Sequence, residues 1–474
     1  MALGTNQNPL NFLNQDYEQL KAQCLASNTL FEDETFPADQ VSLGNDKLGP
    51  HTEEAKGIVW LRPLDHLFVN CLQEIHSSPE FITSGASRFD ACQHGLGDCW
   101  LVSVMASLTL NKHHLSLVVP EDQSFQTNYA GIFHFKFWKC GEWIDVVVDD
   151  RLPTKHGELV FVRSTESNEF WTALLEKAYA KLNGCYDALH GGIPTKALED
   201  FTGGICERYF LKKAPPGLFQ IVQTALWANS LLTCCSKHKE GKGEAIGECH
   251  VVSGHAYSVT GAQEVSYHNG KVQLIRLRNP WGHTEWEGAW SDNAPEWENI
   301  DPKVRAVLNT RCVDGEAWMR FSDFLHEYDS VEICNLCSAS VTSGGELQWT
   351  IFHFDGNYDS TTDTAWINPQ FRIKVEEPDE DEEGAEDASL CTVVVGLTLK
   401  DKSLSEDLDL DFDIYSIQDQ AQKSTGQALS YRSQHGVSKR FKVPIGEYVV
   451  VPRNLNQAED FCVRVFSATR TGDV

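Results

Sequence analysis

Apolar residues recur at helical spacing at Tyr17, Leu20 and Cys24 within NQDYEQLKAQCLASNTLF, which predicts an appended N-terminal helix, and the EDETFPAD that follows breaks the pattern as a linker. From about Lys47 to Gly203 the pattern alternates between two periods. A helix is predicted after Cys99 and another over EFWTALLEKAYAKL, while GIFHFKFW and WIDVVVDD read as strands. That mixture predicts an α+β unit. After the glycine pair of FTGGICERYF, LFQIVQTALWANSLL reads as a helix, SKHKEGKGEAIG as a flexible basic connector, and HAYSVTGAQEV and KVQLIRLRNP as strands, giving a second, strand-rich unit. Beyond about Ser340 the runs LQWTIFHF, QFRIKV, LCTVVVGLTL, FDIYSI and EYVVVP alternate between turn signals, which predicts an all-β sandwich. The chain therefore divides into an anchor and linker over 1–46, two core units over 47–203 and 204–339, and a sandwich over 340–474.

A chain of 474 residues with 41% hydrophobic residues is long enough for several cores. Its net charge of −29 argues against nucleic-acid binding, which needs clustered Lys and Arg, and favours a cationic partner such as a metal ion or a basic peptide. No secretory signal or bilayer-spanning run is evident, so a cytoplasmic protein is expected, with its 15 irregularly spaced cysteines reduced. The block EEPDEDEEGAEDAS inside the sandwich reads first as a solvated loop, and second as a latch for basic segments or a weak collector of divalent cations.

The stretch QHGLGDCW carries the chemistry. A thiol attacks as its thiolate, and Cys99 stands where a helix begins, so unpaired N–H groups and the positive end of the helix dipole favour the anion. Gly95 and Gly97 allow close backbone approach, and Gln93 together with the Cys99 N–H offers two donors to an oxyanion. A nucleophilic cysteine also needs an imidazole and a polar group to orient it. His255 opens a strand directly after Gly254, and Asn279 ends the next strand before Pro280; antiparallel pairing would bring the Asn279 amide oxygen to the imidazole, with Trp281 covering the bond. Each of these residues alone is most often structural. The order Cys, His, Asn, with the histidine roughly 150 residues downstream, is that of papain-like enzymes.

Together QHGLGDCW, NYAGIFHFKFW, VVVDDRLPT, NEFWTALLEKAYAKLNG, GHAYSVTG and RNPWG resemble the calpain family of calcium-dependent cysteine proteases across almost the whole chain. The resemblance implies an α+β papain-like core of two subdomains followed by a C2-like all-β sandwich, with Cys99 and Gln93 on one wall of a cleft and His255 and Asn279 on the other. It implies two Ca2+ sites. TSGASRFD and SNEFW match one calcium loop, implying Asp90 and Glu169 side chains with carbonyls near Thr83 and Gly85. TEWEGAWSD and CVDGEAW match the other, implying Glu285, Asp292, Asp314 and Glu316. Protein substrates, an inhibitory protein and acidic-phospholipid contact through the sandwich are the partners it suggests. Larger members continue into a penta-EF-hand domain, whereas this sequence stops at FCVRVFSATRTGDV, so a small EF-hand subunit is not expected. The insertion LDHLFVNCLQEIH and the histidine of ECHVVS, His250, depart from the pattern.

Two other classes compete with the enzyme. One is a calcium-regulated scaffold built on an inert core, against which all four site residues speak. The other is a zinc protein using Cys334 and Cys337 of CNLC, with Cys312 and His326 nearby, a spacing that fits no standard finger.

Overall fold

The computed structural model describes residues 3–65, 78–139, 141–238, 244–309, 314–336, 348–358, 369–375, 390–400, 410–417, 429–432, 436–453 and 459–469. The acidic block, Cys312, Cys337 and most of the insertion after Leu64 lie outside them. The first lobe is built on helix α1 (Tyr17–Ser27), α2 (Cys99–Leu108), α3 (Trp171–Asn183) and α4 (Pro194–Thr202), with strands β1 (Ile132–Lys139) and β2 (Glu142–Asp149) paired antiparallel. All ten residues of α2 are buried. A helix apolar on every side belongs at the centre of a core, and α2 fills that place.

Helix α3 buries its charges as well. Lys177 Nζ meets Asp149 Oδ1 at 2.6 Å and Lys181 Nζ meets Asp33 Oδ2 at 2.7 Å. The Asp33 N–H donates to Asp149 Oδ2 at 2.8 Å, so one polar network straps the N-terminal segment to this lobe. The Tyr17 ring of α1 stacks on His134 of β1 at 3.7 Å, which makes the N-terminal helix part of the lobe's surface.

The second lobe is a six-stranded antiparallel sheet of β3 (Ile205–Phe210), β4 (Leu231–Ser236), β5 (Ala256–Tyr267), β6 (Gly270–Arg278), β7 (Glu316–Arg320) and β8 (Tyr328–Asn335), in the order β7-β6-β5-β4-β8-β3. Helix α5 (Leu218–Trp227) packs on it and ends earlier than the apolar pattern suggested. Asn229 takes a left-handed φ of 57°, which breaks the helix, and the remaining apolar residues enter β4. The VEIC stretch is β8, inside this sheet between β4 and β3, where Cys334 is fully buried; the described cysteines are all free.

The sandwich stacks a five-stranded sheet on a three-stranded one. In the first, β9 (Gln348–Tyr358), β16 (Glu459–Thr469), β11 (Leu390–Leu399), β14 (Gly436–Pro444) and β13 (Leu429–Arg432) lie in that order; in the second, β10 (Phe371–Val375), β15 (Gly446–Arg453) and β12 (Asp411–Ser416). Their inner faces close a separate core around Val393, Leu397, Phe412, Val450 and Phe461. It is seated on β3: Arg440 grips buried Glu207 through Nε at 2.7 Å and Nη2 at 2.8 Å, while Asn335 and Tyr209 also donate to that carboxylate. Arg464 donates to the carbonyls of Gly203 and Gly204, where the chain crosses from the first lobe to the second.

Asp98 stands immediately before helix α2, and its carboxyl is buried and accepts from no nitrogen or hydroxyl donor among the described residues. Its neighbour is the buried carboxyl of Glu176 on α3. Two anions cannot share such a site, so a proton is held between them. Burial pushes the Asp98 carboxyl up to about 7, and burial with the facing Asp98 raises Glu176 as well.

Two outcomes follow. Because Asp98 titrates higher in the folded protein than its ordinary ~4, its contribution to stability is complete below about pH 4 and is lost as pH rises through about 7. Thermal midpoints of the wild type should fall between pH 6 and pH 8, and Asp98→Asn should flatten that dependence. Arg440→Ala strands a buried carboxylate and should destabilise the sandwich junction by about 3 kcal/mol, whereas Glu207→Leu combined with Arg440→Met should recover most of it, read from calorimetric transitions.

Candidate active site

Cys99 is the first residue of α2 and lies against the start of the strand that His255 precedes. Its position at a helix N-terminus is as the sequence suggests, but the thiol is not acidic in this arrangement. Burial, with the carboxylate of Glu244 beside it, pushes the Cys99 thiol up to about 12. Desolvation and a facing anion outweigh the helix dipole, whose effect is a fraction of a kcal/mol to about 2 kcal/mol.

His255 is buried at the head of β5, and antiparallel pairing with β6 sets Asn279 beside it. The His255 Nε2–Asn279 Oδ1 distance is 2.9 Å. The amide orientation is fixed independently, because Asn279 Oδ1 also accepts from the Trp281 N–H at 3.0 Å while Nδ2 donates to Thr284 O at 2.8 Å. Nε2 therefore carries the ring proton and Nδ1 faces the cleft. The half-buried Trp281 ring lies 5.1 Å from the imidazole, centroid to centroid, and Tyr257 meets it edge-on at 5.2 Å. His250 is exposed and pairs with Glu287, away from Cys99.

Gln93 lies opposite this group. Its Nε2 donates to Leu96 O at 2.7 Å, its Oε1 is buried without a partner among the described residues, and its N–H donates across the lobes to Pro280 O at 2.8 Å. Gly97 passes under His190: a Cβ there would come within 3.0 Å of the ring, and the Gly97 carbonyl accepts from Gly191. Gly254 has φ of 63°, and a Cβ would lie 2.8 Å from His238 Nδ1, so the turn into His255 requires glycine twice over.

Glu244 was not singled out by sequence. It belongs to the connector read only as flexible and basic, yet its Oε1 lies 3.2 Å from His255 Nδ1. Ligand atoms of Cys99, Glu244 and His255 all lie within 4.8 Å of one another. The signal available was weak: Glu244 is one of two carboxylates, with Glu240, in a lysine-rich run, eleven positions before the histidine.

The calcium-loop residues fall into two groups. Asp90 is buried and accepts from the Ser87 N–H at 2.7 Å, from Ser87 Oγ at 2.6 Å and from the Trp171 indole at 3.2 Å. Glu169 accepts from the Thr83 N–H at 2.6 Å and from Ser164 Oγ at 2.7 Å. Burial, opposed by those donors and reinforced by Asp90, pushes Glu169 up to about 7. Thr83 Oγ1 is buried without a partner among the described residues, and Gly85, with φ of 95°, has open space on its Cβ side.

In the second lobe, burial and then Asp292 and Asp314 push Glu285 up to about 7, and burial with Glu316 raises Asp314. Glu316 differs from the rest. Its carboxylate accepts from Arg88 Nε and Nη2, each at 2.7 Å, and from Thr260 Oγ1 at 2.6 Å, which holds it below the usual range despite burial. Arg88 sits in the first-lobe loop, so this pair ties the two acidic loops together across the cleft. Sequence reading missed Arg88, which lies within the quoted TSGASRFD but offers no oxygen ligand.

Residues 31–335 match the sequence profile of a family described as calpain family cysteine protease, and residues 346–466 match calpain large subunit, domain III. The chain is 49% identical to the calpain-2 catalytic subunits of Bos taurus and Homo sapiens over 98% of its length and 69% of theirs. It is 46% identical to calpain-8 of Homo sapiens over all of its length and 71% of that relative. An imidazole locked onto an amide across from a thiol at a helix start, in a chain matched along its length by these relatives, places this protein in the calpain family of cysteine proteases.

Proposed function

We propose that this chain is a calcium-activated endopeptidase of limited, intracellular proteolysis in which Cys99, His255 and Asn279 act as the catalytic triad. The observation that carries the reading is the buried His255–Asn279 hydrogen bond, which leaves Nδ1 toward the Cys99 side. His255 Nδ1 takes the thiol proton as Sγ attacks the scissile carbonyl, and returns it to the leaving amine; water then releases the acyl group from sulfur. The Cys99 N–H and the second Nε2 hydrogen of Gln93 hold the oxyanion. Asn279 fixes the ring tautomer, Trp281 keeps water from that bond, and Gly97 and Gly254 let the substrate-facing backbone pass closely. For attack to occur, the Glu244 carboxylate has to leave Nδ1, since it occupies the place of the thiolate and keeps the thiol neutral. Residues 47–203 and 204–339 form the two protease subdomains in this reading, and 340–474 the C2-like sandwich.

Two Ca2+ sites belong to the same proposal. Thr83, Gly85, Asp90 and Glu169 would hold one ion; Glu285, Asp292, Asp314 and the main chain of Glu316 would hold the other. The residues fit a hard cation: they are oxygen donors, the carboxylates repel one another, and Thr83 Oγ1 lacks a partner among the described residues. A bound ion would supply positive charge that draws each loop's acids together. The Arg88–Glu316 pair would then carry each loop's position to the other, and so set how the thiol and imidazole meet. Substrates would be proteins cut in flexible segments. An inhibitory protein and acidic phospholipid remain partners suggested by family membership.

Cys99→Ser should abolish calcium-stimulated cleavage of casein while leaving the circular dichroism spectrum unchanged; retained turnover would refute the nucleophile. Asp90→Ala and Glu285→Ala should each raise the calcium concentration for half-maximal activity by tenfold or more. Glu169 and Glu285 are protonated below about pH 7 without the ion, so calcium must displace protons, and the calcium requirement should rise as pH falls from 8 to 6. A calcium titration of activity at both values checks this.

A further inference from the structure

Three different metal-ligating groups converge at the mouth of the cleft: the Cys99 thiol, the Glu244 carboxylate and a His255 ring nitrogen, all within 4.8 Å of one another. Nε2 of that ring is committed to Asn279, so Nδ1 is the nitrogen on offer. Its lone pair faces Glu244 Oε1 at 3.2 Å. Two acceptors do not approach that closely unless something positive lies between them, either a second ring proton or a metal ion. At 3.2 Å the pair fits an imidazolium–carboxylate hydrogen bond, and it fits equally two ligands of one metal ion. Ligand atoms about 2.0 Å from a tetrahedral ion stand about 3.3 Å apart, which is the nitrogen–oxygen geometry of zinc sites. Sulfur, nitrogen and one carboxylate oxygen are a borderline-soft set that suits Zn2+ and does not suit Ca2+, whose ligands are oxygens.

The outer contacts are those of a metal site as well. Asn279 holds His255 Nε2 and thereby fixes the ring plane, the role that a neighbouring amide or carboxylate plays for metal-bound histidines. Cys99 and His255 come from opposite lobes and are buried, whereas the Glu244 side chain is one-third exposed at 33%, which gives an ion a path in. The other mixed cluster, His353, Asp355 and Cys462 in the sandwich, is weaker, because Lys400 already neutralises Asp355 at 2.8 Å.

We propose that Cys99, Glu244 and His255 form a Zn2+ site bridging the two lobes, with solvent as fourth ligand, that holds the protease inactive. Binding releases the Cys99 thiol proton to solvent and leaves sulfur as a thiolate ligand; nothing is oxidised or reduced. The metal takes both the nucleophile and the proton acceptor. Its inhibitory consequence rests on the catalytic reading above, but the binding does not.

The full chain, stripped with chelator and free of calcium, is titrated with Co2+ alone and then with Zn2+ as competitor. One equivalent of Co2+ should give a thiolate-to-cobalt charge-transfer band that Zn2+ abolishes. The band should vanish in Cys99→Ser, persist in Cys462→Ser, and require at least tenfold more Co2+ in Glu244→Gln, a substitution on an exposed segment that leaves the core intact. Absence of the band, its survival in Cys99→Ser, or an unchanged Co2+ requirement in Glu244→Gln overturns the site. A band behaving as stated in a protein that never cleaves casein would overturn the catalytic reading and leave the metal site standing; cleavage without the band would do the reverse.

Discussion

A thiol carried by one lobe and an imidazole carried by the other meet only at the separation that interlobe contacts impose, and most of this molecule's buried polarity serves that separation. Arg88 reaches from the first lobe to Glu316 on β7, Arg278 Nη1 donates to the Ala91 carbonyl at 3.1 Å, and the Gln93 N–H donates to Pro280 O. Ser258 and Ser107 add hydroxyl bonds to backbone carbonyls across the same seam. These are directional contacts between rigid elements, so the lobes have few alternative registers. A misplacement of about 1 Å at such a site costs on the order of 100-fold in rate, which makes the seam as consequential as the reacting groups.

Charge is treated differently in the three cores. In the first lobe, Lys177 and Lys181 are satisfied in place by Asp149, Asp33 and backbone carbonyls, giving a pre-paid network that needs no ion. The loops holding Asp90, Glu169, Glu285 and Asp314 gather carboxylates with few cations beside them, and burial raises several above their ordinary range. The sandwich places its cationic partner, Arg440, against an acid of the neighbouring lobe. Only the second arrangement leaves electrostatic work for something from solution.

Much of the architecture was legible from periodicity. The alternating runs of the sandwich, the apolar stretch after Cys99 and the strands ending at Asn279 all became the elements their patterns implied. Helix α5 was overextended because Leu231 and Leu232 continue an apolar run, and only the left-handed turn at Asn229 separates helix from strand. Strands β14 and β16 carry charged residues along their length and, with the four-residue β13, were not read as strands. The pairing of His255 with Asn279 was legible because register is local. Glu244 and the Arg88–Glu316 pair were not, since each depends on how distant segments fold against one another, which no spacing encodes.

The chain crosses between lobes at Gly203 and Gly204, and the sandwich's Arg464 holds both carbonyls while its guanidinium covers Trp138 of the first lobe at 4.4 Å. A Cβ on Gly203 would stand 2.9 Å from that same indole, and one on Gly204 would stand 2.6 Å from Asn335 O. The crossing is therefore closely packed on both sides and held by a cation from the third unit. The third unit thus grips the chain where it passes from one lobe to the next, so a substitution in the sandwich at Arg464 would be felt at that junction.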